Sequence, residues 1–259
     1  MGEALYDKIS EFYLNFVKNG LEDHSSVFHM GMNTIFDLVG TVKQKKVCDL
    51  ACGEGYFSRA LAERGAHVTG VDISSVLLEH ARQRAGDLAI TYIHDDAQSL
   101  TQLADQSFDL VVCNMALMDI PDIGKTLGAV HRVLSPGGSL AFAILHPCFE
   151  SPFHAPDSPI EVNENGEFVA IRVMHYLEEG HWNSGGDGMR GRVGAYHRTI
   201  STYVNALLTN GFQITGMAEP AVAAGDYRDL ARQKGSRIPP LLVVKATTYP
   251  LGERDNAVR

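Results

Sequence analysis

A chain of 259 residues is long enough for one α/β domain with an inserted segment and does not require a second core. Its 45% hydrophobic and 20% charged content is that of an ordinary globular protein. The formal net charge of -9, from 22 basic and 31 acidic side chains, argues against nucleic acid as a partner, because phosphate binding needs a basic surface.

Apolar residues recur at helical spacing through Leu5, Ile9, Phe12, Tyr13 and Phe16, and Gly20 offers a stop. A second helix is expected from Ser25 to Leu38. Lys46–Ala51 then reads as a strand running into Cys52-Gly-Glu-Gly55, with a helix over Tyr56–Arg64 closed by Gly65. Ala66–Asp72 is a second strand, and Ser74 is a good N-cap for a helix through Arg84. The alternation continues with strands over Leu88–His94 and Phe108–Asn114, a helix over Ile123–Leu134, the turn Ser135-Pro-Gly-Gly138 and a strand over Ser139–Leu145. Strands alternating with helices point to a parallel sheet covered on both faces.

After His146 the rhythm breaks for about fifty residues holding Pro147, Pro152, Pro156 and Pro159, a length that is usually functional. Regular structure resumes with a helix over Thr199–Leu208, strands at Gly211–Ile214 and Pro240–Ala246, and an Ala/Arg-rich helix around Asp226–Lys234. The polar tail from Gly252 to Arg259 reads as disordered. Lys43, Lys45 and Lys46, the densest basic group, read as the solvated approach to a strand. Cys48, Cys52, Cys113 and Cys148 form no CxxC pair, so no metal is expected and the four read as reduced thiols of a cytoplasmic protein. Met1–Phe16 carries acids and lacks an apolar stretch, so no signal peptide is expected. Tyr6 stands where a myristoylation signal needs Ser or Thr. No apolar run approaches the length that spans a bilayer.

The richest stretch chemically is Val47-Cys-Asp-Leu-Ala-Cys-Gly-Glu-Gly55, followed by Asp72 at the end of the next strand. Small residues let the backbone turn sharply and approach a ligand, and a strand-end carboxylate can accept both hydroxyls of a ribose. A dinucleotide fingerprint would need glycine where Ala51 and Tyr56 stand, which counts against NAD. The same residues resemble the first motif of class I S-adenosylmethionine-dependent methyltransferases, an acidic residue followed by G-x-G-x-G, here Asp49, Ala51, Gly53 and Gly55. Ala51 departs from that pattern but is also small. Further resemblances follow in order: Asp95-Asp96-Ala97 after the third strand, Phe108–Asn114 as the fourth, Val133–Gly138 before the fifth, and the last two strands as an antiparallel pair.

The resemblance implies a single Rossmann-like domain over residues 1–259, a doubly wound seven-stranded sheet, mostly parallel with an antiparallel last strand and helices on both faces. Residues 1–42 are expected as a helical lid and 146–197 as an inserted substrate cap. It implies S-adenosyl-L-methionine as cofactor and S-adenosyl-L-homocysteine as product. Asp49, Ala51, Gly53 and Gly55 would surround the methionine part, Asp72 and Ile73 the ribose, and Asp96 with Ala97 the adenine. Asn114, Met115 and Met118 would lie beneath the sulfonium, with Tyr6 closing the site. Plain strand-end caps, turn residues and core filler are the ordinary roles of the same residue types.

The acceptor is expected to be a small molecule, aromatic or heteroaromatic, methylated at O, N or C. Asn114-Met-Ala-Leu117 lacks the polar-Pro-Pro-aromatic motif of DNA amino methyltransferases. Leu145-His-Pro-Cys-Phe149, Tyr196-His-Arg198 and Gly211-Phe212 resemble methyltransferases of bacterial natural-product pathways. Histidines titrate near neutrality, so His146 after the fifth strand and His181 are candidate bases, with His175 and His197 behind them. Tyr13 is a further catalytic candidate on the lid, and Trp182 either anchors its loop or stacks on an acceptor. Neither membrane nor nucleic acid is an expected partner, and a monomer or homodimer is expected. The rivals are a non-catalytic protein of the same fold, an NAD-dependent oxidoreductase, and a cofactor-using aminopropyl transferase or cyclase.

Overall fold

Two periodicities build this chain: period two along the strands and 3.6 along the helices, each segment hiding one apolar face. The computed structural model describes residues 4–23, 26–149, 160–223 and 229–249. A 3-10 turn at Leu5–Ile9 leads into α1 (Ser10–Glu22), followed by α2 (Val27–Val39), β1 (Lys46–Leu50), α3 (Tyr56–Glu63) and β2 (His67–Asp72). Next come α4 (Ser75–Arg84), β3 (Ile90–His94), β4 (Phe108–Asn114), a 3-10 turn at Leu117–Asp119, α5 (Ile123–Val133) and β5 (Leu134–Leu145). The inserted segment holds β6 (Ile160–Val162), β7 (Phe168–Ile171), β8 (Gly180–Trp182), α6 (Met189–Arg192) and β9 (Ala195–His197). The chain closes with α7 (Ile200–Thr209), β10 (Phe212–Ala218), α8 (Leu230–Gly235) and β11 (Leu241–Thr248).

The main sheet has seven strands in the order β10-β11-β5-β4-β1-β2-β3. β1 to β5 pair in parallel, and β11 runs antiparallel to both neighbours. This is the expected Rossmann-like sheet. Successive residues of β4 feed opposite cores: Val111 and Cys113 pack with Phe142, Leu127 and Leu207 on one face, Leu110 and Val112 with Ile35 and Leu61 on the other. Burying a side chain such as Phe142 contributes about 1.5–3 kcal/mol, which is why these strands sit at the centre. The strand order reverses at β1 and β4, so their carboxyl ends open a crevice between them.

Local signals set most boundaries. Ser74 Oγ accepts from Leu77 N (3.0 Å) and caps α4, Asp122 caps α5, Thr199 caps α7, and Gly65 (φ +79°) stops α3. Gly20 does not end α1, because its missing side chain makes room for the Phe28 ring, 2.5 Å from where a Cβ would lie. Ser135–Gly138 is an outward excursion within β5, where the register against β4 shifts. β10 runs on past Ile214 across a bulge. The inserted segment was expected to be irregular; instead β6 pairs with β7 and β8 with β9, in strands of three or four residues too short to show a period. Ser25, Asp226, three of the prolines (Pro152, Pro156, Pro159) and the tail 252–259 lie outside the described residues. No described helix is long and apolar enough to cross a membrane.

Candidate functional site

At the carboxyl ends of β1, β2 and β4 the chain encloses a cavity of about 330 Å³. Its floor begins with the turn after β1, where Ala51 (φ +54°) and Gly53 (φ +54°) take left-handed backbone. That conformation costs an alanine about 1–2 kcal/mol, and Cys52 N bonded to Val71 O (3.0 Å) helps hold it. Gly53 has a steric reason as well: a Cβ there would lie 2.6 Å from the Tyr13 hydroxyl. Gly53 N donates to Asp72 Oδ2 (2.7 Å) and Ser74 N to Asp72 Oδ1 (2.8 Å), so β2 and the turn share one carboxylate, 8% exposed on the cavity wall. Asp49 lines the same wall and accepts from Ser58 Oγ at 2.6 Å.

Burial outweighs the Ser58 hydrogen bond and pushes the Asp49 carboxyl up to about 7; Asp72 and Asp119 are raised by burial too. A carboxyl raised in this way binds a proton in the folded chain that the unfolded chain releases. Its contribution is complete below the ordinary value of 3.8 and is lost as pH rises through about 7. Asp49→Asn is therefore expected to gain melting temperature over the parent chain as pH goes from 4 to 8. Parallel melting curves across that range would remove the assignment.

Ile73, Asp96 and Ala97 line the wall beside Asp72, with Asn114 at the end of β4 and Met115 just beyond it. Asp95 also reaches the cavity but accepts from Asp96 N and Gln102 N, stapling its own loop; Asp96 accepts from Gln98 N at 2.9 Å. Asn114 Nδ2 donates to Phe28 O (3.1 Å) and Tyr56 Oη (2.8 Å), and Gly31 leaves it space, since a Cβ there would lie 2.3 Å from Asn114 Oδ1.

The roof comes from the N-terminal segment, the turn after β4 and the inserted segment. Tyr6 and Tyr13 meet edge to face at 5.1 Å between ring centroids. Tyr6 Oη donates to Asp119 Oδ2 at 2.7 Å, the other oxygen of Asp119 takes Arg190, and Arg190 also donates to Gly194 O at 2.9 Å. Asp7 bonds to Ser74 Oγ, and the Arg192 guanidinium lies 4.2 Å from the Phe12 ring centroid. His181, Met189, Arg190, Val193 and Tyr196 complete the wall.

Several expected residues stand elsewhere. His146 does not line the cavity: it is 1% exposed, its Nε2 donates to Glu219 Oε1 (2.7 Å), and its Nδ1 accepts from Cys148 N (3.2 Å). Met118 is buried in the core beneath the site, and Gly55 faces the Tyr92 hydroxyl behind the turn. His197 holds Tyr176 O, His175 pairs with Glu178, and Trp182 packs on the core. Asp119, Arg190 and Tyr56 reach the cavity without having been singled out; no local pattern marks them. No group of three or more His, Cys, Asp or Glu among the described residues is placed to hold a metal ion.

Residues 48–142 match the methyltransferase domain family. An uncharacterized protein of Haemophilus influenzae is 33% identical over 224 residues, 82% of this chain and 85% of that protein. The ubiquinone biosynthesis O-methyltransferase of Pseudomonas aeruginosa is 36% identical over 104 residues, 39% of this chain and 45% of that enzyme. The crystal structure of an S-adenosylmethionine-dependent methyltransferase from Mesorhizobium loti superposes with a TM-score of 0.70 at 30% identity, covering 83% of this chain and 96% of the other.

Proposed function

Because the chain belongs to the class I S-adenosylmethionine-dependent methyltransferases and uses S-adenosylmethionine as methyl donor, we propose that it methylates a small aromatic or heteroaromatic metabolite at O, N or C. The observation that carries this reading is the division of one cavity: a polar floor of strand-end turns, and a largely apolar and aromatic roof from the chain segments around it. Family membership sets the NAD reading aside.

The residues present fit the cofactor. Asp72 retains lone pairs for two ribose hydroxyls, Gly53 offers a floor without a side chain, and Asp49 places a carboxylate where positive charge suits it. Ile73, Asp96 and Ala97 stand where an adenine would reach, and Ala51, Asn114 and Met115 at the methionine end. When bound, S-adenosylmethionine supplies a methyl carbon made electrophilic by a positively charged sulfur. Residues 1–42 serve as lid and 146–197 as cap, excluding water and orienting the acceptor. An acceptor held between lid and cap would face that carbon.

For an O–H or N–H acceptor the proton goes to His181. Its ring lines the cavity and packs on Tyr196 at 5.0 Å between centroids. Tyr13 closes the cavity from the lid side, its hydroxyl lying over Gly53 and held protonated by burial, so it is not the group that takes the proton. The net charge of -9 supports a small acceptor over nucleic acid.

The test is turnover on a panel of phenols and heteroaromatic amines, read by S-adenosylhomocysteine release and by mass spectrometry of the methylated product. A panel on which only non-aromatic acceptors turn over would overturn the aromatic reading. On the best acceptor, His181→Ala is expected to lower kcat about 100-fold, the usual worth of a positioned base. Full turnover by that variant would end the proton-acceptor role.

A further inference from the structure

Hydrogen-bond accounting at the methionine end of the cavity leaves two donors over. Asn114 is orientated by Phe28 O, which can only accept, so its Nδ2 group must point there and toward Tyr56 Oη. Tyr56 Oη thus receives a hydrogen bond, and its own proton has no acceptor among the described residues. Tyr13 Oη, lying against Gly53, makes no hydrogen bond to any described residue. Tyr6 differs, its proton being committed to Asp119. Burial first, then the neighbouring Asp49 charge, holds Tyr56 far above its ordinary value. Burial first and Tyr56 second do the same for Tyr13, so both stay protonated donors.

Gly53, which Tyr13 covers, is one hydrogen bond from Asp72, the ribose carboxylate. The part of the cofactor nearest these phenols is therefore the chain beyond the ribose, which ends in an ammonium and a carboxylate. Asp49 in the same wall suits the ammonium, leaving the carboxylate in need of neutral donors. We propose that the hydroxyls of Tyr13 and Tyr56 together hold the cofactor's terminal carboxylate, with Asn114 as the positioning residue that turns the Tyr56 proton toward it. The inference rests on the reading of Asp72 as the ribose site. A phenol pair recognises a carboxylate without a competing cation, which leaves the adjoining ammonium free to meet Asp49.

Isothermal titration of the full chain with S-adenosylhomocysteine and with its decarboxylated analogue, which keeps the amine and the nucleoside, tests this. Tyr13→Phe and Tyr56→Phe are each expected to weaken S-adenosylhomocysteine about tenfold, the scale of one hydrogen bond to a charged group, and to leave the analogue unchanged. Equal weakening of both ligands, or of neither, overturns the proposal. 5′-Methylthioadenosine, which lacks the amino-carboxyl chain, keeps the two readings apart. If Asp72→Ala weakens it while both tyrosine variants bind it normally, the ribose site stands whichever way the phenols fall. If Asp72→Ala leaves it unchanged, the ribose site fails and this inference fails with it.

Discussion

Asp119→Ala is expected to destabilise the packing of the N-terminal turn and α6 over the cavity by about 3–5 kcal/mol, the penalty for leaving one member of a buried ion pair alone. The side chains of Asp119 and Arg190 are only 16% and 17% exposed, so solvent cannot take over the lost partner. Each Asp119 oxygen serves a different segment: Oδ2 receives Tyr6 from the N-terminal turn, and Oδ1 receives Arg190 from α6. Removing the carboxylate should release both, seen as faster proteolysis after Lys8 and Arg192 and a lower urea midpoint. Asp119→Leu combined with Arg190→Met should recover most of the stability, since an apolar pair carries no desolvation penalty. A single variant with unchanged proteolysis and midpoint would show that these two segments hold their places without this pair.

Asp72→Ala is expected to weaken S-adenosylhomocysteine by roughly 3 kcal/mol or more, about 100-fold. Two charge-assisted hydrogen bonds to ribose hydroxyls would go, at about 1.5 kcal/mol each. Gly53 N and Ser74 N would also lose their shared acceptor, loosening the turn that forms the floor. Burial raises the Asp72 carboxyl above its ordinary value, chiefly by desolvation, so alanine removes an awkward charge and the fold itself should tolerate the change. Calorimetry checks the binding and thermal denaturation checks the fold. Unchanged affinity would remove the ribose assignment.

Much of the fold was legible because its signals are local. Phe108–Asn114 reads as a buried strand from its own residues, Ser74 and Thr199 announce helix starts, and Gly65 a stop, with partners only a few positions away. The short strands of the inserted segment were not legible, because three residues carry no period and their pairing depends on what they pack against. Gly20 misled for a related reason: in isolation it is a helix breaker, and only the Phe28 ring seated on it explains its place inside α1.

The same division runs through the site. The floor could be read locally, because Asp49, Ala51, Gly53 and Asp72 belong to adjacent strand ends whose spacing follows from one strand–turn–helix–strand unit. The roof depends on contacts between distant parts of the chain. Tyr6 and Asp119 are 113 positions apart and Asp119 and Arg190 are 71 apart, so no local pattern could pair them. Tertiary packing also decided His146, which leaves a strand end as a base candidate should but turns to Glu219 beside β10. Backbone direction is set by neighbours in sequence, whereas a side chain on a connecting segment goes wherever a distant partner satisfies its polar atoms.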